Sequence, residues 1–165
     1  MPPSFGGSRS EAGVILFGPS RYRSTPDVRG TTPLHVASKG RPYRTVDVEG
    51  WKILVGRGDE DNDYLTFDVA EPHDLWLHVA GGTPGSHVVV QNPDKVEVPR
   101  IVVERAGELA AWYSKARSAP RVEVHVCRAS DVSKPRGAPK GLVELSRWKS
   151  MKVKPAPPPG ESGQG

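Results

Sequence analysis

The sequence predicts an α+β domain, a mixed or antiparallel sheet of short strands with one main helix, flanked by disordered tails. Three observations carry this. Short segments alternate apolar and polar side chains between clusters of Gly, Pro, Asp and Asn. One longer segment repeats its apolar residues every three or four positions. Much of the Pro, Ser and Gly sits at the two ends of the 165 residues, which leaves room for one domain of the usual roughly 100 to 200 residues.

Residues 1–39 form the first tail, and their one apolar run, Val14 to Phe17, is too short for a signal-peptide core of about 7 to 15 residues. The domain is expected over residues 40–155 and a second tail over 156–165, "APPPGESGQG". No stretch reaches the ~20 apolar residues of a membrane span, so a cytoplasmic location without membrane contact is expected. The single cysteine, Cys127, excludes an internal disulfide and multi-cysteine zinc sites. Set in a valine-rich run, it reads as a small buried side chain.

Taken in order, "RTVDVEGWKILVGR" reads as a strand pair turning at Glu49-Gly50. "GRGDEDND" reads as a turn, and "YLTFDVA" as a half-buried strand with Leu65, Phe67 and Val69 inward. Leu75 to Ala80 and His87 to Gln91 read as a hairpin closed by "GGTPGS", with Leu77 opposite Val90. One face is then Leu75, Leu77, Val79, Val88 and Val90, and the other carries Trp76, His78 and His87.

"VPRIVVERAGELAAWYSKARSAP" reads as the helix, with Pro99 at its first position and Val102, Ala106, Leu109, Tyr113 and Ala116 on one stripe. Lys115 and Arg117 fall in its last turn, where cations complement the dipole, and Gly107 weakens its interior by about 1 kcal/mol. "RVEVHVC" reads as a strand, "SKPRGAPKG" as a loop, and "LVELS" with "SMKVKP" as a last pair turning at Arg147-Trp148. One helix covers one sheet face, so the other is expected to stay partly open.

The net charge is +4, distributed as +3 over residues 1–39, −4 over 40–117 and +5 over 118–165. A mildly acidic body with a basic C-terminal third is suited to meet a polyanion through that third. Lys134, Arg136 and Lys140 stand in a loop stiffened by Pro135 and Pro139, and Lys149, Lys152 and Lys154 follow on the last strand. Trp76 has two readings: a platform on the open sheet face for unpaired bases, or part of a second small core.

Other chemistries fit less well. Asp74 and His78 are about 13 Å apart along a strand at ~3.3 Å per residue, too far to share a metal or a proton. His78 and His87 fall within reach of one ion but supply only two ligands, and zinc takes at least three from protein. Ser86 and His87 are adjacent, so they point to opposite faces and do not form a nucleophile and base. The glycines beside Ser86 offer backbone N–H groups to a phosphate.

Five motifs carry a resemblance: Asn62-Asp63-x-Leu65-Thr66; Asp74-x-Trp76-Leu77-His78; Pro84-Gly85-Ser86-His87; Tyr113 to Arg117; and Lys134-Pro135-x-Gly137-Ala138-x-x-Gly141. From about Tyr43 to Pro155 the chain resembles the NFACT-R domain, the RNA-binding domain of the NFACT family. That family includes bacterial fibronectin-binding-type proteins and ribosome-associated quality-control factors. The usual Gly-Lys-Asn-Asn ahead of the first motif reads Gly56, Arg57, Gly58, Asp59 here, which keeps a cation and adds acid. Gly82, a second glycine, lengthens or loosens the hairpin tip.

The resemblance implies a non-catalytic RNA-binding module, acting on rRNA or tRNA at the large ribosomal subunit, with no cofactor or metal. The tRNA-gripping domain and coiled coils of long family members do not fit in 165 residues, so a stand-alone version is expected, without tRNA recruitment or tail synthesis. Lys115, Arg117, Lys134, Arg136, Lys140 and Lys152 are the expected phosphate contacts; Asp74, Trp76, His78, Ser86 and His87 form the expected recognition face. Six neutralised phosphates give a salt slope of about −4 to −5. Two alternatives stay open: an enzyme acting on RNA or nucleotides through Asp74, His78 and His87, and an adaptor that docks on protein at the ribosome.

Overall fold

The computed structural model describes the backbone of residues 15–17 and all of residues 43–159; the rest of both expected tails lies outside the described residues. The main element is a six-stranded, wholly antiparallel sheet of β2 (Tyr43–Val48), β3 (Trp51–Gly56), β4 (Leu75–Val79), β5 (Val88–Val90), β6 (Val122–Arg128) and β9 (Lys149–Val153), in the order β2-β3-β5-β4-β6-β9. A second sheet, ordered β1-β8-β7, combines β1 (Ile15–Phe17), β8 (Val143–Leu145) and β7 (Val132–Ser133).

The β2/β3 hairpin turns at Glu49 (φ 52°) and Gly50 (φ 86°), and two successive left-handed residues match the twist of a two-residue hairpin. In the β4/β5 pair Leu77 lies opposite Val88, not Val90. The shift is two residues, one full side-chain period, so both faces keep the residues the alternation assigns to them.

Helix α2 (Arg100–Trp112) covers the first face, and Val102, Ala106 and Leu109 pack on Leu77, Val79, Val88 and Val90. Pro99 is the cap residue just before the first turn. The helix stops at Trp112, earlier than its apolar stripe predicts. Ser114 Oγ donates to Ala111 O and accepts from Ala116 N–H, turning the chain so that Lys115 and Arg117 lie beyond the last turn. Gly107 stands where the edge strand crosses: a β-carbon there would overlap Met151 Cε and lie 3.2 Å from Val153 Cγ1.

The second face is not open. The segment read as a turn and a strand is instead a short helix, α1 (Asp59–Tyr64), running into a π-helical turn at Leu65–Val69. Asp59, Glu60 and Asp61 occupy its first turn, where acids complement the dipole. Asn62, Leu65 and Thr66 are buried at helical spacing, while Phe67, read as inward, is exposed. Together with β7 and β8 this segment encloses a second core of Leu54, Leu65, Trp76, Val89, Cys127, Val132, Val143 and Leu145.

The expected β8/β9 hairpin is also absent. Val143 and Leu145 serve the second core whereas Met151 and Val153 serve the first, so the two segments diverge at Arg147-Trp148 into different sheets.

Candidate nucleic-acid interface

The hairpin residues expected to face nucleic acid lie inside the molecule. Trp76 is 0%, His87 1% and His78 3% exposed, because α1 and the second sheet roof them. Of the two readings of Trp76, the structure shows the second core. The Trp76 indole N–H donates to Thr66 Oγ1 (3.0 Å), and the same hydroxyl is hydrogen-bonded to His87 Nδ1 (2.8 Å).

His78 Nδ1–H donates to Val79 O at 2.7 Å. The Trp76 and His78 rings are near-parallel with centroids 6.0 Å apart, and His87 meets both edge-on at 4.9 and 5.3 Å. Burial lowers the His78 pKa to about 4 against backbone hydrogen bonds that raise it. Burial, then the neighbouring His78, hold His87 well below its ordinary value. Neither ring is a phosphate-binding cation, and none of the three side chains offers a surface to a base.

Asp74 is likewise internal. Its Oδ2 accepts from Glu71 N–H and its Oδ1 from Asn92 N–H, both at 2.8 Å, tying the approach to β4 to the end of β5. Cys127 is buried in the second core, and burial pushes its thiol pKa well up. Among the described residues no three His, Cys, Asp or Glu side chains group as a metal site.

The proline-stiffened loop also departs from expectation. Lys134 points inward: its ammonium donates to Asp63 Oδ2 (2.8 Å), Pro139 O (2.7 Å) and Leu142 O (3.1 Å), which uses all three protons. Asp63 Oδ1 accepts from Gly141 N–H (3.1 Å), and Gly141 takes the left-handed φ of 87° close against Asp59. This loop is therefore clasped to α1, and Lys134 is no phosphate contact. Lys140 lies 3.8 Å from Glu60, Arg136 is exposed, and Lys152 is exposed on β9 directly across from Glu123. The expected cations do not form one stripe.

What the structure does assemble is a cleft of about 560 Å³ between the Pro84-Gly85-Ser86 turn and the end of α2. Ser86, Lys115 and Arg117 line it, joined by Arg44 from β2 and Arg57 from the turn before α1. No carboxylate is among its described lining residues. Arg44 Cζ sits 4.5 Å over the Tyr113 ring and Arg117 Cζ 4.3 Å over the Trp112 ring.

The cleft forms because the turn docks closely. Ser86 N–H donates to Tyr113 O and Lys115 N–H to Pro84 O, at 3.1 and 3.0 Å. Gly85 approaches Ser114 so nearly that a β-carbon would lie 2.8 Å from Ser114 Cβ. Asn62 braces the turn from below, donating to Gly85 O and accepting from His87 N–H. At the end of α2, Leu109 O accepts from Tyr113 N–H and Ala111 O from Ser114 Oγ–H, and the Tyr113 carbonyl just beyond the helix accepts from Ser86 N–H. Lys115 and Arg117 follow this end, where cations complement the dipole.

Sequence reasoning missed Arg44 altogether, since one arginine in a strand carries no local signal, and noted Arg57 only as a cation kept beside added acid. A second cleft, of about 890 Å³, opens at the opposite end of the strands around Leu75, Val98 and Trp148, with charges of both signs.

A model of the NFACT protein RNA binding domain matches residues 41–146. The Rqc2 homolog RqcH of Streptococcus suis is 37% identical over 121 residues, covering 73% of this chain and 21% of that protein. The ribosome quality control complex subunit 2 of Saccharomyces cerevisiae is 28% identical over 103 residues, covering 59% of this chain and 9% of its own length. The chain thus spans about a fifth or less of these relatives.

Among solved structures, the C-terminal part of the fibronectin/fibrinogen-binding protein from S. suis superposes with a TM-score of 0.65 at 34% identity, covering 78% of this chain and 51% of that one. With the family model matched across the six-stranded sheet's first five strands, both helices and the clasped loop, this chain belongs to the NFACT RNA-binding domain family.

Proposed function

We propose that the chain is a non-catalytic RNA-binding module of a ribosome-associated quality-control system, working in the cytoplasm on rRNA or tRNA. The observation that carries this is the cleft at the end of α2, where Arg44, Arg57, Lys115 and Arg117 converge without a lining carboxylate. Such a cluster meets phosphates as the sequence-independent part of RNA affinity. Arg136 and Lys140, outside the cleft, are auxiliary contacts. The absence of catalysis has support in the state of the rival site: both Asp74 oxygens accept backbone N–H groups, and His78 and His87 are sealed from solvent.

The test is the salt dependence of RNA binding together with crosslinking in cells. Four phosphates neutralised on a single strand predict a slope of log affinity against log salt near −3, shallower than six cations give. Replacing Arg44, Arg57, Lys115 and Arg117 with Gln flattens it and removes the crosslinks. Salt-independent binding, or complexes that survive ribonuclease unchanged, would instead favour the protein-docking adaptor. That reading has its own support in Val96 and Ile101, both about half exposed, which stand at and near the second cleft.

A further inference from the structure

We infer that the cleft at the end of α2 is a seat for an unpaired nucleotide, a base with its flanking phosphate, rather than a rail for the backbone of an RNA duplex. This rests on the RNA-binding reading above and names the kind of RNA that the site takes.

Shape is the first ground. Duplex phosphates stand on the convex ridges of a rod, and a flat cationic surface serves them best. Here the cations instead line a recess of about 560 Å³, within the roughly 300 to 1,000 Å³ of clefts that enclose small ligands. A base that leaves its stack fits a recess of that size; a paired base is held in its helix.

The second ground is the arrangement of the cations. Two are guanidinium groups already seated over aromatic rings, Arg44 Cζ over Tyr113 and Arg117 Cζ over Trp112, and both pairs line the cleft. Unpaired bases stack on guanidinium planes as they do on aromatic faces. A guanidinium held against a ring has lost much of its rotamer freedom before the base arrives, so less ordering is left for binding to overcome. Duplex phosphates need only charge, for which a free lysine serves as well.

The third ground is polar lining beside those planes. Ser86 Oγ, from the turn anchored through Tyr113 O, offers a hydroxyl that both donates and accepts. Arg57, whose charge also acts on the neighbouring Asp61, and Lys115 line the same recess and supply charge for the flanking phosphate. Recess, preset planes, a hydroxyl and two further cations together describe a nucleotide rather than a bare anion.

The experiment compares binding of a fluorescein-labelled oligouridylate and a blunt RNA duplex of equal length, for the intact chain and two double variants. Arg44→Ala/Arg117→Ala is expected to lower oligouridylate affinity about tenfold or more, the loss of roughly one stacked base. Arg44→Lys/Arg117→Lys retains charge and removes both planes. It is expected to bring oligouridylate affinity down to that of the duplex, abolishing the preference, with the salt slope of oligouridylate binding reporting the retained charge.

Equal binding of the two RNAs by the intact chain, or a preference that survives in the lysine variant, overturns the inference and leaves the RNA-binding reading standing. Failure of the intact chain to bind either RNA overturns the RNA-binding reading itself. Far-ultraviolet circular dichroism of each variant separates these results from misfolding.

Discussion

Lys134 sets its ammonium 2.8 Å from the Asp63 carboxylate across 71 residues of sequence, and each partner is less than a third exposed. In the sequence this lysine looks like part of a basic arm; in the fold it is the bolt that fastens a loop to a helix. Lys134→Met keeps most of the stem and leaves Asp63 and two carbonyls short of a donor. We expect a loss of about 2 to 3 kcal/mol in urea unfolding, below the range for a fully buried pair, with RNA affinity of the folded fraction unchanged. A loss of affinity at unchanged stability would restore Lys134 as a phosphate contact.

Thr66 is the hinge of the Trp76–Thr66–His87 chain, its hydroxyl accepting from the indole N–H and hydrogen-bonded to His87 Nδ1. Thr66→Val preserves its shape and strands an indole N–H and an imidazole nitrogen in the second core. The expected cost is about 2 to 3 kcal/mol, read as a lowered unfolding midpoint. Thr66→Ser, which keeps the hydroxyl, is expected to recover most of it.

Stability should fall in acid for a specific reason. The folded His78 has its pKa lowered to about 4 and His87 is also lowered, against about 6.5 in an unfolded chain. Below pH 6.5 the unfolded chain takes up protons that the folded one refuses. The contribution of these rings is therefore complete above pH 6.5 and declines toward the folded pKa, by up to about 1.4 kcal/mol per pH unit for each ring. Urea midpoints measured at pH 7 and about pH 5.5 are expected to differ, and His78→Gln to reduce the difference. A midpoint that does not move over this interval would refute the account.

Gly85 is expected to be intolerant for reasons of space. Its Cβ position lies 2.8 Å from Ser114 Cβ and 3.2 Å from Ser114 Cα, and the backbone atom cannot swing aside. Gly85→Ala should push the turn off the end of α2, widen the cleft and weaken RNA binding several-fold, as read by anisotropy titration. Glycine at this position is a requirement of close approach.

Much of the fold was legible in the sequence. The β2/β3 turn, both faces of β4 and β5, the body of α2 and strand β6 follow from local periodicity, which survived even a two-residue error in register. The α1 segment was misread because Leu65, Phe67 and Val69 alternate like a strand, while the rival helical set rests on Asn62 and Thr66, polar residues that periodicity does not count. The closed second face was signalled by Val88 to Val90: three consecutive valines fit a strand buried on both sides.

The candidate site was legible only in part, since Arg44, Arg57, Ser86, Lys115 and Arg117 come from four separate segments that only the fold brings together. The conspicuous motif residues Asn62, Asp63, Thr66, Trp76, His78, His87, Lys134 and Gly141 turn out to be internal joinery. They mark the family because they build its frame.

The course of the chain beyond β9 has a geometric consequence for any longer polypeptide that contains this fold. Strands β2 and β9 are the two margins of the six-stranded sheet, five interstrand steps or about 24 Å apart at ~4.8 Å each. Chain leaving β9 does not stay on that flank: Ala156 N–H donates to Glu108 O on α2, and Ala156, Pro157 and Pro159 stand with Val46 and Val48 of β2 around one small pocket. The exit therefore straps the helix and returns toward the margin where Tyr43 enters, so the two arms of a longer polypeptide would leave this fold on the same side.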